Sequence, residues 1–441
     1  MKKANNSQAA LLGLQHLLAM YSGAVAVPLL IGTALGFNTE QMTYLVSIDI
    51  FMCGLATLLQ LMRNRYFGIG LPVVLGCAIQ AVEPLKMIGS QFTIQTMYGA
   101  IIVAGIFVCL VSGQFSKVKR LFPPVVTGTL ITVIGLTLIP IAVQNIGGGN
   151  ASAKDFGSLT NITLGFVTVI LILAIQVFAK GFLSSIAVLL GLASGSLVAA
   201  ALGLVSLAPL HEAPWFHVPQ PFYFGVPHFE WSSSVTMIII ALVSMVESTG
   251  VYFALGDILN KKITEKDLKL GYRAEGMAVI LGGIFNTFPY TIFSQNVGLL
   301  ELSGIKTKRP IYWSAGLLML LGLLPKAGAL ATMIPTPVLG GAMLVMFAMI
   351  SVQGIRILAS VDFTDQRNIL VVAVSIGLGL GVSIYPNIFQ NLPRTVQLFL
   401  GNGIVVASLS SVLLNLVFKG REGLAKKDIK QQVRVLEEVD E

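Results

Sequence analysis

The stretch from Phe288 to Gly298 has features that suit ligand binding within an otherwise apolar chain. It contains Pro289, Ser294, Gln295 and Asn296 and carries no charged side chain. In a bilayer, backbone that leaves the helix is tolerated where protein buries it or where it lines a cavity. Amide side chains offer donors and acceptors there without burying a charge. The sequence therefore predicts a ligand site in this stretch.

Acidic residues inside apolar stretches are the second set of candidates, and they are Asp49, Glu83, Glu247, Glu275 and Glu301. Glu247 lies in the middle of such a stretch, followed by the small polar residues Ser248 and Thr249. An ionisable group at that depth predicts a substrate or proton ligand. Glu275 has two interpretations: proton coupling, or a residue near a helix end that pairs with Arg273 or faces water.

The remaining polar residues of the apolar stretches have simpler interpretations. Glu83 and Lys86 have the i,i+3 spacing of an ion pair on a helix. His16 is expected to brace the site through a hydrogen bond. Asp49 either bonds a neighbouring helix or joins a proton relay, and Glu301 is expected to pack between helices.

The elements that must position these residues are membrane spans. Hydrophobic residues make up 55% of the chain and charged residues only 11%, against about 25% charged in soluble proteins. About fourteen apolar stretches have spanning length. Their approximate bounds are 10–34, 42–62, 69–89, 95–113, 121–144, 163–179, 182–208, 234–256, 270–286, 289–304, 310–325, 338–358, 368–385 and 395–418.

Basic residues set the predicted orientation, because Lys and Arg accumulate on the cytoplasmic side of a membrane. They fall in alternate loops, with Lys86, Lys154, Lys326 and Arg394 as the exceptions. We therefore expect a multi-pass protein of a cytoplasmic membrane with both termini in the cytoplasm. The net charge of +8 follows this pattern, so it does not indicate a nucleic-acid partner. Residues 419–441 form a predicted cytoplasmic tail.

Sequence motifs argue against several other classes of protein. The chain has no GxxxxGK[ST] segment for an ATP-driven pump and no HExxH, GxSxG or Cys-His pairing for an enzyme. Cys53, Cys77 and Cys109 lack paired spacing, so free buried thiols are expected, with no metal site and no cofactor. A channel remains an alternative.

Two segments point to an internal repeat. Residues 70–80 and 289–295 both contain a proline followed by β-branched residues and end in a glutamine, and seven spans separate them. An odd offset reverses orientation, so the two halves would be inverted, as in alternating-access transporters. Both segments favour short extended stretches over continuous helix.

The stretch Gln295 to Gly304 is similar to the signature of the nucleobase-ascorbate transporter family: Gln, Glu or Pro, then Asn, any residue, Gly, four residues, Thr, and Arg, Lys or Gly. Ser303 replaces the threonine and keeps its hydroxyl. The resemblance extends to Gln15 and His16, to the proline-containing third span and to residues 246–250. It is closest to bacterial xanthine permeases.

The resemblance implies an all-α polytopic fold of two inverted seven-span repeats, with short extended stretches in spans 3 and 10. It implies one transporter unit over residues 1–441, with a core domain at about 10–113 and 234–325, a gate domain at about 121–208 and 338–418, and assembly as a homodimer.

It also implies a substrate site formed by Glu247, Gln295 and Ser294, with backbone at Ala78 and Ile79. The residues expected to support the site or couple protons are His16, Asn296, Glu275 and Ser303. Many members carry Asp or His where this chain has Val251, which leaves Glu247 or Glu275 to titrate.

The function implied is proton-coupled import of an oxopurine, with xanthine as the first choice. A urate or uracil permease, sodium coupling and a nucleobase channel are the alternatives. The amide at Gln295 favours a purine over uracil, because uracil-type members commonly have Glu at this position.

Overall fold

The computed structural model describes residues 5–115, 121–304 and 306–418. The predicted tail at 419–441 lies outside the described residues. Within them, the prediction of a mainly helical fold with two short extended stretches is confirmed.

The first half runs through long apolar helices interrupted by one extended stretch. Asn5 and Asn38 cap the first two helices, each in a capping box with a glutamine three residues later. In chain order the elements are α1 (Asn6–Ala34), α2 (Thr39–Leu61), β1 (Leu75–Cys77), a 3₁₀ turn (Ile79–Ala81), α3 (Val82–Gln91), α4 (Ile94–Val111), α5 (Pro124–Ile146), α6 (Leu159–Phe178), α7 (Phe182–Ser185) and α8 (Ala187–Ala201).

The second half repeats this order after a connecting segment that contains α9 (Ala208–Glu212). Its elements are α10 (Trp231–Ile258), α11 (Glu265–Ile284), β2 (Tyr290–Ile292), α12 (Gln295–Ser303), α13 (Arg309–Gly322), α14 (Pro325–Thr332), α15 (Thr336–Leu358), α16 (Gln366–Ile384), α17 (Arg394–Leu400) and α18 (Gly403–Phe418). Two helices, a strand, a short helix and further helices therefore follow one another in both halves.

Packing between the halves follows the same symmetry. Helix α2 packs on α13, and its counterpart α11 packs on α4. Likewise α1 packs on α13, and α10 on α4. The counterparts α5 and α15 form the most extensive helix pair and approach closely at glycines, since a side chain at Gly135 would collide with Ser351 and Phe347. These exchanged contacts are what two inverted repeats produce.

Not every predicted span is one straight helix. Eight described helices are long and apolar enough to cross a membrane, and a ninth forms if α13 and α14, bent by 82°, count together. The stretch predicted at 182–208 breaks between α7 and α8 and ends at Ala201. The stretches predicted at 69–89 and 289–304 are strand plus short helix. The count of fourteen stays a prediction.

Candidate functional site

The two extended stretches meet as an antiparallel strand pair inside the protein. Its register pairs Leu75 with Ile292, Gly76 with Thr291 and Cys77 with Tyr290. All six residues are buried. Because strand backbone in a bilayer has no water to bond, each strand here satisfies the other.

Contacts at the ends of the pair extend and seal it. The Ala78 N–H donates to the Pro289 carbonyl at 2.8 Å, and the Phe293 N–H donates to the Val74 carbonyl at 3.0 Å. The Phe293 ring occupies the space that a side chain at Gly76 would need. The residues that follow each strand are thereby held side by side.

A small cavity of about 50 Å³ lies at this point. That volume is well below the range of about 300–1,000 Å³ for small-molecule sites, so the surrounding helices must separate to admit a ligand. Strand residues, α10 and α12 line one side, and α5 and α15 line the other. The lining residues are Cys77, Ile79, Gln80, Ile131, Ile134, Glu247, Thr291, Ile292, Phe293, Ser294, Gln295, Ile350 and Gln353.

Glu247 is the only charged side chain among these lining residues. Gln80, itself 3% exposed, donates from Nε2 to Glu247 Oε2 at 3.0 Å and to Ser244 Oγ at 2.8 Å. A carboxylate held by one internal donor keeps acceptor capacity for a ligand N–H. The absence of a basic residue in this lining favours a neutral ligand over an anion.

Gln295 and Ser294 lie at the start of α12, where they face the same cavity. The Gln295 side chain is exposed, and it makes no hydrogen bond to another described residue. Thr291, also in the lining, lies 3.2 Å from the Ser248 hydroxyl. The amide of Gln295 is therefore available to a ligand as both donor and acceptor.

Asn296 points away from the cavity and joins α12 to α1. Its Nδ2 donates to the His16 carbonyl at 2.9 Å and lies 3.2 Å from His16 Nδ1. His16 is only 1% exposed. These two residues therefore fix the orientation of the helix that carries Gln295.

Glu275 is outside the lining of this cavity. It lines a smaller neighbouring cavity with Ser244 and Tyr290, and it accepts from the Tyr252 hydroxyl at 2.6 Å. Gln60 in turn donates to Tyr252 at 2.8 Å. The interpretation in which Glu275 pairs with Arg273 or faces water is wrong, because Glu275 is 3% exposed.

Five other residues named from the sequence have clear positions. Arg273 donates to Ser112 instead of an acid. Ser303 donates to the Leu300 carbonyl at the far end of α12 and is not in the cavity lining. Ala78 is fully buried beside the lining residue Ile79. The predicted pair of Glu83 and Lys86 is confirmed, at 2.8 Å.

Sequence reasoning missed the role of Gln80 and the contribution of α5 and α15. Gln80 is the third residue after β1, as Gln295 is the third after β2, and this equivalence was a signal available in the sequence. Gln353 had no such signal, because it lies in an apolar spanning helix remote in sequence from the strands.

A family model described as a permease family matches residues 7–388 of the chain. The chain belongs to this permease family. The predicted membership of the nucleobase-ascorbate group and the interpretation as a transporter, not an enzyme, are thereby confirmed. The permease is a multi-pass membrane protein.

Curated relatives cover nearly the whole permease. It is 53% identical to the uric acid permease PucK of Bacillus subtilis, over 96% of this chain and 98% of that protein. It is also 53% identical to the xanthine permease of the same organism, over 92% of this chain and 93% of that protein. The uric acid transporter UacT of Escherichia coli is 40% identical, over 95% and 89% respectively.

Solved structures show the same fold at low sequence identity. The transmembrane domain of the cyanobacterial bicarbonate transporter BicA matches with a TM-score of 0.62 at 16% identity, over 87% of this permease and 97% of that chain. The murine anion transporter Slc26a9 in its inward-facing state matches with a TM-score of 0.63 at 12% identity, over 93% and 68%.

Proposed function

We propose that this permease imports xanthine into the bacterial cytoplasm by proton symport. The observation that carries the proposal is the cavity in which the Glu247 carboxylate and the unpaired Gln295 amide are both available. Xanthine presents N–H donors and carbonyl acceptors around its edge. A carboxylate accepts the N–H, and an amide both donates to a carbonyl and accepts from a second N–H.

The charge of the site favours xanthine over urate. Near neutral pH xanthine is mainly uncharged, whereas uric acid is mainly a monoanion. A cavity whose lining holds one acid and no base binds the uncharged molecule with less repulsion. Uric acid is the second candidate, because relatives named for uric acid and for xanthine are equally similar.

Alternating access supplies the transport step. In this proposal the core domain, about 10–113 and 234–325, carries Glu247, Gln295 and Ser294, with Ala78 and Ile79 beside them. The gate domain, about 121–208 and 338–418, covers the cavity with Ile131, Ile134, Ile350 and Gln353. Movement of one domain against the other then exposes the site to each side in turn.

Coupling requires an acid that exchanges a proton during the cycle. Glu247 is in the cavity, where its carboxyl group can hold the proton while its other oxygen accepts an N–H of the substrate, so that both are bound in the same loaded state, as symport requires. Glu275 lies outside the cavity lining and accepts from the Tyr252 hydroxyl, to which Gln60 in turn donates. We assign the coupling proton to Glu247 and a supporting role to Glu275, with His16, Asn296 and Ser303 stabilising the site. We also propose that both termini lie in the cytoplasm and that the permease functions as a homodimer.

Uptake of radiolabelled xanthine tests the proposal. Cells expressing the permease are assayed with excess urate, guanine, hypoxanthine or uracil, with and without an uncoupler, and with sodium replaced by choline. We expect saturable, uphill xanthine uptake that the uncoupler abolishes and that sodium removal leaves unchanged. Stronger competition by unlabelled urate than by unlabelled xanthine would transfer the assignment to urate. Non-saturable uptake without accumulation would indicate a channel.

A further inference from the structure

A buried acid, Asp49 on α2, lies behind the strand pair. It is 0% exposed and both of its carboxylate oxygens accept hydrogen bonds. Cys77 donates from Sγ to Oδ2 at 2.7 Å, and the Tyr290 hydroxyl donates to Oδ1 at 2.9 Å. Cys53, one turn further along α2, has its Sγ 3.9 Å from Oδ2.

The two main donors belong to opposite strands. Cys77 is in β1 and Tyr290 is in β2, and they are register partners in the last pair of the ladder. A single carboxylate therefore bridges the two halves of the repeat. Tyr290 is held from a second side, since its hydroxyl lies 2.8 Å from the Thr287 hydroxyl.

The hydrogen bonds of Asp49 lie next to the cavity, but Asp49 itself is not among the residues that line it. Cys77 is among the cavity-lining residues, while its sulfur is directed to Asp49. The chain continues from Cys77 through Ile79 to Gln80, and from Tyr290 through Ile292 to Ser294 and Gln295. A shift between the strands at Cys77 and Tyr290 therefore changes the distance between Gln80 on one side and Ser294 and Gln295 on the other.

A bound cation is an alternative use of the same residues. Asp49, Cys53 and Cys77 bring potential ligand atoms within 4.8 Å of one another. However, both carboxylate oxygens already accept bonds from neutral donors, which is the arrangement that keeps a buried acid satisfied without a metal. The hydrogen-bond pattern therefore favours a structural connection between the strands.

We propose that Asp49 is a positioning residue that holds β1 and β2 in register. It thereby sets the distance from the Gln295 amide to Glu247 and its hydrogen-bond partner Gln80. The proposal rests on the proposed nucleobase site. It predicts that loss of the bridge weakens substrate binding more than it slows turnover, because the groups that contact the substrate all remain present.

Transport kinetics test this prediction. Asp49→Asn keeps the size of the side chain but places an NH2 group against a donor, so one bridging bond is lost. We expect the KM for xanthine to rise about tenfold, the scale of one lost hydrogen bond to a charged acceptor, with Vmax changing less than KM. Tyr290→Phe should raise KM similarly, and the double variant should show no further rise.

Replacements of Cys77 separate hydrogen bonding from packing. Cys77→Ser keeps a donor and Cys77→Ala does not, so the rise in KM should be clearly smaller for serine. Cys109→Ser is the matched control, since Cys109 lies outside the bridge and its thiol donates to the Arg273 carbonyl. Equal effects of serine and alanine at position 77, or a fall in Vmax with unchanged KM in Asp49→Asn, would overturn the proposal.

A second measurement does not depend on the identity of the substrate. In a Cys53→Ser, Cys109→Ser background, Cys77 is the only cysteine left in the sequence. Its rate of reaction with N-ethylmaleimide reports whether the thiol is hydrogen-bonded to Asp49. Asp49→Asn should speed this reaction about tenfold, in line with the loss of one hydrogen bond. An unchanged rate would contradict the bridge, even if xanthine proved not to be the substrate. If Asp49→Asn fails to reach the membrane, the rate is measured in Tyr290→Phe.

Discussion

Each half of the permease has a glutamine three residues after its short strand, and the two glutamines have different roles. Gln80 follows β1 by three residues and is 3% exposed, with its amide bonded to Glu247 and Ser244. Gln295 follows β2 by three residues and is exposed in the cavity. One amide holds the acid in place, and the other remains available to the ligand.

This difference shows how a repeat acquires an asymmetric site. Inverted halves meet through strands of opposite direction, so equivalent residues approach one another across the cavity. A nucleobase, however, has different groups on each edge. In this permease the second half supplies both the acceptor, Glu247, and the free amide of Gln295, while the first half orients the acceptor through Gln80.

The largest expected effect comes from removing the acid that the first amide holds. Glu247→Gln keeps the shape of the side chain and deletes its charge and its ability to titrate. Loss of a hydrogen bond to a charged acceptor costs about 1.5–3 kcal/mol in binding, and proton coupling at this position is lost as well. Active uptake of xanthine should fall below detection, as measured by radiolabel accumulation, while the protein still reaches the membrane.

Measurable uphill uptake by Glu247→Gln at normal membrane levels would show that another group carries the proton. Exchange of preloaded xanthine in the same cells separates the two roles of Glu247. Exchange that survives without accumulation would assign coupling to Glu247 and leave binding to other residues.

The free amide should control specificity more than rate. Gln295→Glu keeps reach and size but exchanges an NH2 donor for an acceptor. A substrate carbonyl that faces it then loses its partner, at a cost of about 1–3 kcal/mol. The competitor profile should change among xanthine, urate and uracil in uptake assays. An unchanged profile in a well-expressed variant would remove Gln295 from the binding site.

Replacing Gln80, the amide that is bonded to Glu247, should have a smaller effect than replacing Gln295. This variant therefore tests the comparison between the two halves directly. Gln80→Ala leaves Glu247 without its internal donor but removes no group that we assign to the substrate. We expect the KM for xanthine to rise between about twofold and tenfold, corresponding to a net hydrogen-bond contribution of about 0.5–1.5 kcal/mol. The order of preference among competitors should stay the same.

A change in competitor order in Gln80→Ala, equal to that in Gln295→Glu, would contradict the division of roles between the two amides. Both glutamines would then contact the substrate directly. The same competitor panel measured on both variants therefore decides between a symmetric and an asymmetric use of the repeat.

Local patterns were sufficient to predict much of this arrangement. Pro289 and the β-branched residues after it break the helix, and the amide beside them marks the cavity. Glu247 is recognisable because a charged side chain in an apolar stretch is energetically costly, and such residues are therefore usually functional. Both features depend only on the residues within a few positions along the chain.

Long-range pairings could not be predicted in the same way. Asp49 contacts Tyr290, 241 positions away, and Asn296 contacts His16, 280 positions away. For Glu275 the sequence offered the neighbouring Arg273 as one possible partner, but the fold places Tyr252 against it instead. Such partners depend on how the halves pack, which one sequence does not specify residue by residue.

The smallest effect is expected at Glu83, an acid in the same half as Gln80 but outside the cavity. It pairs with Lys86 at 2.8 Å, and the two side chains are 29% and 24% exposed. Partly exposed ion pairs of this kind contribute about 0.2–1 kcal/mol, so Glu83→Gln should reach the membrane normally and transport xanthine within about twofold of the parent rate. Parallel uptake assays of Glu83→Gln and Glu247→Gln form a matched pair, since each exchanges one carboxylate for an amide of the same size. Normal transport by the position 247 variant together with loss in the position 83 variant would place the essential acid near the helix that follows β1, and would reverse the roles assigned to the two halves.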